Sequence, residues 1–108
     1  MCERMEDEVG LMNCGVIPRA NGKRRVRLLP GCVWDLCIDI QDVPSGDYTL
    51  RIDGVDRGTI SVGGRLRGRI EFDTSPAPGK LPLDFDPLGS VDIVQGGSII
   101  LCLDEPTG

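Results

Sequence analysis

Trp34-Asp35-Leu36-Cys37-Ile38-Asp39-Ile40-Gln41 alternates large apolar side chains with polar or small ones along its whole length. Successive side chains of a β-strand point to opposite faces, so this stretch reads as a strand with Trp34, Leu36, Ile38 and Ile40 inward and the others outward. On its N-terminal side, Pro30-Gly31 breaks the chain, and Lys23 to Leu29 repeats the pattern with Val26 and Leu28 on one face and Lys23, Arg25 and Arg27 on the other. Asn21-Gly22 before it is a turn signal.

The same period continues towards the C-terminus. Pro44-Ser45-Gly46 turns the chain into a strand with Tyr48, Leu50 and Ile52 inward. Asp53-Gly54 is the strongest hairpin signal, and the returning strand near Arg57 to Val62 buries Ile60 and Val62. After Gly63-Gly64, Leu66, Gly68, Ile70 and Phe72 oppose Arg65, Arg67, Arg69, Glu71 and Asp73. Ser75-Pro76-Ala77-Pro78-Gly79 cannot support a ladder, and the prolines around Leu81 to Phe85 place that short strand at an edge. Val91 to Val94, the turn Gln95-Gly96-Gly97 and Ser98 to Leu103 form a last hairpin, whose second strand is apolar on both faces and so central or at an interface.

About seven or eight strands at roughly ten-residue spacing predict an all-β fold, a small antiparallel β-sandwich or barrel. With 108 residues, 15 Gly, 8 Pro and few aromatics, the chain suits one domain with a Val, Ile and Leu core. Residues 19–108 form that domain. Residues 1–18 are an acidic arm or a short helix, because Met1, Met5, Val9 and Met12 recur at helical spacing before Gly10, Gly15 and Pro18 weaken or stop it.

Gly46-Asp47-Tyr48-Thr49-Leu50-Arg51-Ile52-Asp53-Gly54 resembles the G-x-Y-x-L-x-V-x-G stretch of carboxypeptidase-regulatory-like and related prealbumin-like sandwich modules. The resemblance implies a sandwich fold and a non-catalytic part of a larger protein.

Charge and cysteine content bound the function. The net charge is −5, yet ten basic residues face six acidic ones between Arg19 and Arg69, with acidic segments on either side. Such a split suits pairing within the fold or between copies, and argues against a dedicated nucleic-acid binder. No apolar run is long enough to span a membrane, and the acidic N-terminus lacks a leader's apolar core, so the expectation is cytoplasmic. Cys2, Cys14, Cys32, Cys37 and Cys102 contain no C-x-x-C pair, so reduced thiols are expected rather than a zinc site. The absence of histidine removes the commonest general base and metal ligand.

Three constellations remain. Arg25 and Arg27, with Arg65, Arg67 and Arg69 on one strand face, are candidates for anion binding, since guanidinium forks grip carboxylates and phosphates. Their alternative fate is a ladder to Asp35, Asp39 or the acidic C-terminal third. Asp84-Phe85-Asp86-Pro87-Leu88-Gly89 resembles the start of a calcium loop, with Asp92 as a later ligand, but Leu88 and Gln95 stand where oxygen ligands belong. A plain Asp-Pro turn is the simpler reading. Glu71 and Asp73 have a spacing compatible with acid/base work, which keeps a small carboxylate enzyme as a third reading. The expected function is therefore a non-catalytic binding or self-assembling β-module without a cofactor. It takes a protein partner or a second copy, with nucleic acid as the alternative and no membrane.

Overall fold

The computed structural model describes residues 4–75 and 78–103, and it is all-β: no helix occurs among those residues. Ten strands run in chain order: β1 (Met5–Gly10), β2 (Met12–Asn13), β3 (Asn21–Leu29), β4 (Val33–Gln41), β5 (Gly46–Ile52), β6 (Val55–Val62), β7 (Arg67–Asp73), β8 (Leu81–Pro82), β9 (Val91–Gln95) and β10 (Ser98–Leu103). They make two five-stranded sheets, β1-β3-β4-β7-β8 and β2-β10-β9-β5-β6, antiparallel throughout except for the β7–β8 pair. The sheets stack as an open sandwich, and no barrel closes.

The core lies where the alternation places it. Leu36, Ile38 and Ile40 from β4, Ile70 and Phe72 from β7, Tyr48, Leu50 and Ile52 from β5, and Ile60 and Val62 from β6 are all buried. Trp34 is half-buried and packs against this cluster. Fully burying one aliphatic or aromatic side chain contributes roughly 1.5–3 kcal/mol, so this set dominates stability. The sheets close tightly between β6 and β7. A Cβ on Gly68 would sit 2.7 Å from Ile60 Cγ2 and 2.9 Å from the Ser61 carbonyl oxygen, so only glycine fits there. The Asp53-Gly54 hairpin forms as expected, with φ of 52° and 78°, the left-handed pair that matches strand twist.

Several expectations are corrected. The N-terminal segment is not helical. Met5, Asp7 and Val9 face the second sheet while Glu6 and Glu8 face out, because β3 offers an open edge whose backbone groups pair with β1 residue by residue. β2 then crosses to the other sheet and pairs with β10, so the acidic arm belongs to the sandwich. Asn21-Gly22 lies within β3 rather than at a turn, held opposite Gln41 and Ile40. Of Leu81 to Phe85 only two residues pair, at the sheet edge. The both-face apolar strand β10 is interior to its sheet, between β2 and β9. The expected helix position Met1, Cys2 and loop residues 76–77 lie outside the described residues.

The thiol expectation is also corrected. β2 pairing brings Cys14 beside Cys102, 88 residues away in sequence, and the two form a disulfide. Cys32 is disulfide-bonded as well, so a zinc site shared by Cys14, Cys32, Cys37 and Cys102 is removed. Cys37 is a buried free thiol on the outer side of β4, between Arg25 of β3 and Glu71 of β7 in register.

Candidate anion-binding groove

The outer face of the first sheet carries Lys23, Arg25 and Arg27 from β3, Asp35, Cys37, Asp39 and Gln41 from β4, and Arg67, Arg69, Glu71 and Asp73 from β7. Register decides which cations are consumed. Arg27 lies opposite Asp35, and its Nε donates to both carboxylate oxygens at 3.1 Å while Nη2 reaches Oδ2. Asp35 is buried, and its hydrogen bonds, more than its charge, raise the Arg27 pKa further. Arg69 lies opposite Asp39 and donates Nε to Oδ1 at 2.6 Å, with Glu71 at 3.6 Å from Nη1. Its pKa is raised first by that hydrogen bond and then by the same charge. Arg25 is half-buried between the register positions of Glu8 and Cys37, and its Nε has no hydrogen-bond partner. The ladder reading thus describes Arg27 and Arg69.

The carboxylate pair is likewise occupied. Lys80 Nζ stands 3.8 Å from Glu71 and 3.6 Å from Asp73, so one ammonium serves both. Asp84 and Asp86 are exposed in the 83–90 loop, whereas Asp92 lies on β9 opposite Arg51. Asp86 Oδ1 accepts the Leu88 N–H at 2.9 Å, which is the geometry of a simple turn. Among the described residues, no group of three or more His, Cys, Asp or Glu side chains is placed to hold a metal ion.

Arg65 and Arg67 have a different fate. Arg65 does not share the β7 face with Arg67 and Arg69, because it lies in the turn before the strand. Leu66 N–H donates to the Gly63 carbonyl at 3.0 Å to close that turn. Both arginines are exposed, and neither makes an ion pair or side-chain hydrogen bond among the described residues. They line a groove of about 630 Å³ with Lys23, Arg69 and the amides of Asn21 and Gln41; Asp39 is its one carboxylate. The amides are held in place: Gln41 Nε2 donates to Asn21 Oδ1 at 2.6 Å, and Asn21 Nδ2 donates to Asp42 at 2.9 Å. Lys23 is 3.5 Å from Glu8 on the neighbouring strand.

The groove therefore offers two free guanidinium forks, a third committed to Asp39, and fixed amides. That set can receive carboxylate or phosphate oxygens without first breaking an internal pair. Parity of the β3 and β7 alternation identifies Lys23 and Arg67 as outward, but the turn position of Arg65 depends on where β7 begins.

One buried cation was not among the candidates. Arg24 shares the inner face of β3 with Val26 and is 1% exposed. Its Nη2 donates to Asp7 at 2.9 Å, while Nε and Nη1 have no partner among the described residues. The same alternation that buries Val26 places it there. No protein-family model, curated protein or solved structure matches the chain.

Proposed function

We propose that the chain is a non-catalytic binding module that receives a negatively charged protein segment at the end carrying Arg65 and Arg67. The observation that carries this reading is the contrast within one sheet: Arg27 and Arg69 are neutralised by neighbours, whereas Arg65 and Arg67 are left free at a groove. In a protein of net charge −5, this is a local inversion of field that steers an anionic partner to one end. A protein segment suits the groove better than single-stranded nucleic acid. Trp34, Tyr48, Phe72 and Phe85 do not line it, so no ring there stacks on bases. The occupied Glu71–Asp73 pair and the lack of histidine support a non-catalytic role.

Self-association is the second reading. β6 is the outermost strand of its sheet over eight residues, and Asp53, Asp84 and Asp86 are exposed in loops at the end opposite the groove. Opposite charge at opposite ends favours head-to-tail contact between copies. The Cys14–Cys102 bond favours an oxidising compartment over a cytoplasmic one.

Fluorescence anisotropy with labelled acidic peptides tests the module. Binding at low salt that weakens steeply with added salt, and a loss of about tenfold or more in Arg65→Glu/Arg67→Glu, is expected. Equal binding by wild type and the charge-reversed protein removes the proposal. Concentration-dependent sedimentation, lost in the same variant without any peptide, would transfer it to self-association.

A further inference from the structure

The turn that supplies the free arginines also separates two different surfaces. Arg65 and Arg67 line the polar groove, while Leu66 between them lines a second cleft of about 620 Å³ with Ile17, Pro18, Val43 and Pro44. Leu66 has φ of 60° and is 45% exposed. A left-handed conformation costs a non-glycine residue roughly 1–2 kcal/mol, and asparagine or glycine adopts it more cheaply. The core recovers little of that cost, because almost half of this side chain meets solvent.

The cleft is braced from several sides. Val43 N–H donates to the Leu66 carbonyl at 3.3 Å, joining two loops that each contain a left-handed residue, Asp42 and Leu66. The Tyr48 hydroxyl donates to the Pro44 carbonyl at 2.7 Å. Asn13 Nδ2 donates to the carbonyls of Ile17 at 2.8 Å and Ala20 at 3.0 Å. An apolar cleft with fixed walls needs little reorganisation to receive a side chain.

We infer that Arg65-Leu66-Arg67 reads two features of its partner at once: carboxylates in the groove, and a large aliphatic or aromatic anchor in the cleft. This inference rests on the acidic-segment reading above. The occupant it specifies is an extended segment of a partner protein in which an apolar residue lies one or two positions from Asp or Glu. Spacing follows from the turn. Arg65, Leu66 and Arg67 are consecutive, with Cα atoms about 3.8 Å apart, so groove and cleft lie within reach of a few residues of one extended segment, which advances about 3.3 Å per residue. Charge complementarity with Arg65 and Arg67 selects the acidic flanks, while Arg19 and Asp42 at the cleft offset each other and leave the anchor site without net charge.

Three labelled probes separate the inference from its premise: an acidic peptide with a central Leu, the same peptide with Ala in its place, and a short duplex DNA. The Leu peptide is expected to bind about tenfold more tightly than the Ala peptide, the factor that about 1.4 kcal/mol of apolar burial supplies. Leu66→Asn, which tolerates the backbone conformation, should erase that difference while leaving Ala-peptide binding and the melting temperature intact. Ile17→Ala is the second variant, with the same expectation for the preference. Equal binding of the two peptides, with both lost in Arg65→Glu/Arg67→Glu, overturns the anchor and leaves the acidic-segment reading standing. A preference that survives both Leu66→Asn and Ile17→Ala also overturns it. Binding of neither peptide removes both readings, and tighter binding of the duplex than of either peptide assigns the groove to nucleic acid instead.

Discussion

The two halves of the Arg24–Asp7 pair should respond to mutation with opposite signs. Arg24 is buried on the inner face of β3, flanked in register by Val9 of β1 and Ile38 of β4. Its single hydrogen bond runs from Nη2 to Asp7, whose side chain is 47% exposed. A hydrogen bond to a charged group contributes roughly 1.5–3 kcal/mol, and each buried donor left unpaired costs about 1–3 kcal/mol. With Nε and Nη1 both unpaired, cost outweighs gain. Arg24→Met keeps most of the apolar stem and removes both orphan donors. It should stabilise the fold by about 1–2 kcal/mol, consistent with buried ion pairs replaced by apolar residues elsewhere. Asp7→Ala keeps the buried cation and removes the one partner it has among the described residues. It should destabilise by about 2 kcal/mol, less than for a fully buried partner because Asp7 is half in water. A domain of this length shifts its melting temperature by about 4–8 °C per kcal/mol, so calorimetry resolves both changes. Loss of stability in Arg24→Met together with a neutral Asp7→Ala would refute the reasoning, since the guanidinium would then be worth more than its visible bond.

Gly68→Ala should destabilise by about 1–3 kcal/mol, because the new methyl collides with Ile60 and the Ser61 backbone, whereas Gly63→Ala meets nothing within 4 Å and should be near neutral by denaturant titration. Burial first, and the neighbouring Asp39 second, push the Cys37 thiol up to about 11, so native protein should resist iodoacetamide at pH 8 and react once denatured. The fold favours the protonated thiol; as pH rises from 9 towards 11 the unfolded chain ionises first, and stability should fall by up to about 2 kcal/mol, a loss that Cys37→Val abolishes. Removing Cys14–Cys102 by Cys14→Ser/Cys102→Ser should lower stability by about 2–4 kcal/mol, read as a lower urea midpoint, and adding reductant should lower the midpoint of that variant further, because Cys32 is disulfide-bonded too.

Most of the sandwich was legible because each long strand has one dry face and one wet face. The apolar sets of β4, β5 and β7 emerge from alternation alone, although Asp35, Cys37 and Asp73 on the outward parity are buried as well, under the side chains of the charged face. Alternation fails at the N-terminus. Met5 and Val9 are four residues apart, a spacing that serves a helix face and a strand face equally, since four is both one helical turn and an even number. The open edge of β3 decides between them, and that edge is a tertiary fact. Leu66 is misplaced for a related reason. It has the parity of Gly68 and Ile70, but the turn closed by its N–H delays the strand to Arg67, and parity carries no information before a strand begins. The disulfide was hidden because Cys14 and Cys102 meet only through the pairing of β2 with β10, whose order depends on where the chain changes sheets.

The same distinction explains why the site lies at an end of the sandwich and not on its charged face. A side chain in the middle of a sheet has cross-strand neighbours about 5 Å away on both sides, so an outward arginine directly opposite a carboxylate of β4 pairs with it, whereas Arg25, opposite Cys37, does not. Arg27 and Arg69 do so, and their charge is spent inside the molecule. A turn has no such neighbours. Arg65 lies beyond the last rung, and Arg67 lies on the rung where β4 offers Gln41, a neutral amide. Sequence supplies ten arginines, but register and the position of one turn determine which of them remain available. A substitution that adds a carboxylate at Gln41 would therefore do more to silence the groove than removing Arg27, the ladder arginine that does not line it. Gln41→Glu should pair with Arg67 and weaken acidic-peptide binding severalfold at low salt, while Arg27→Gln should lower stability and leave binding unchanged.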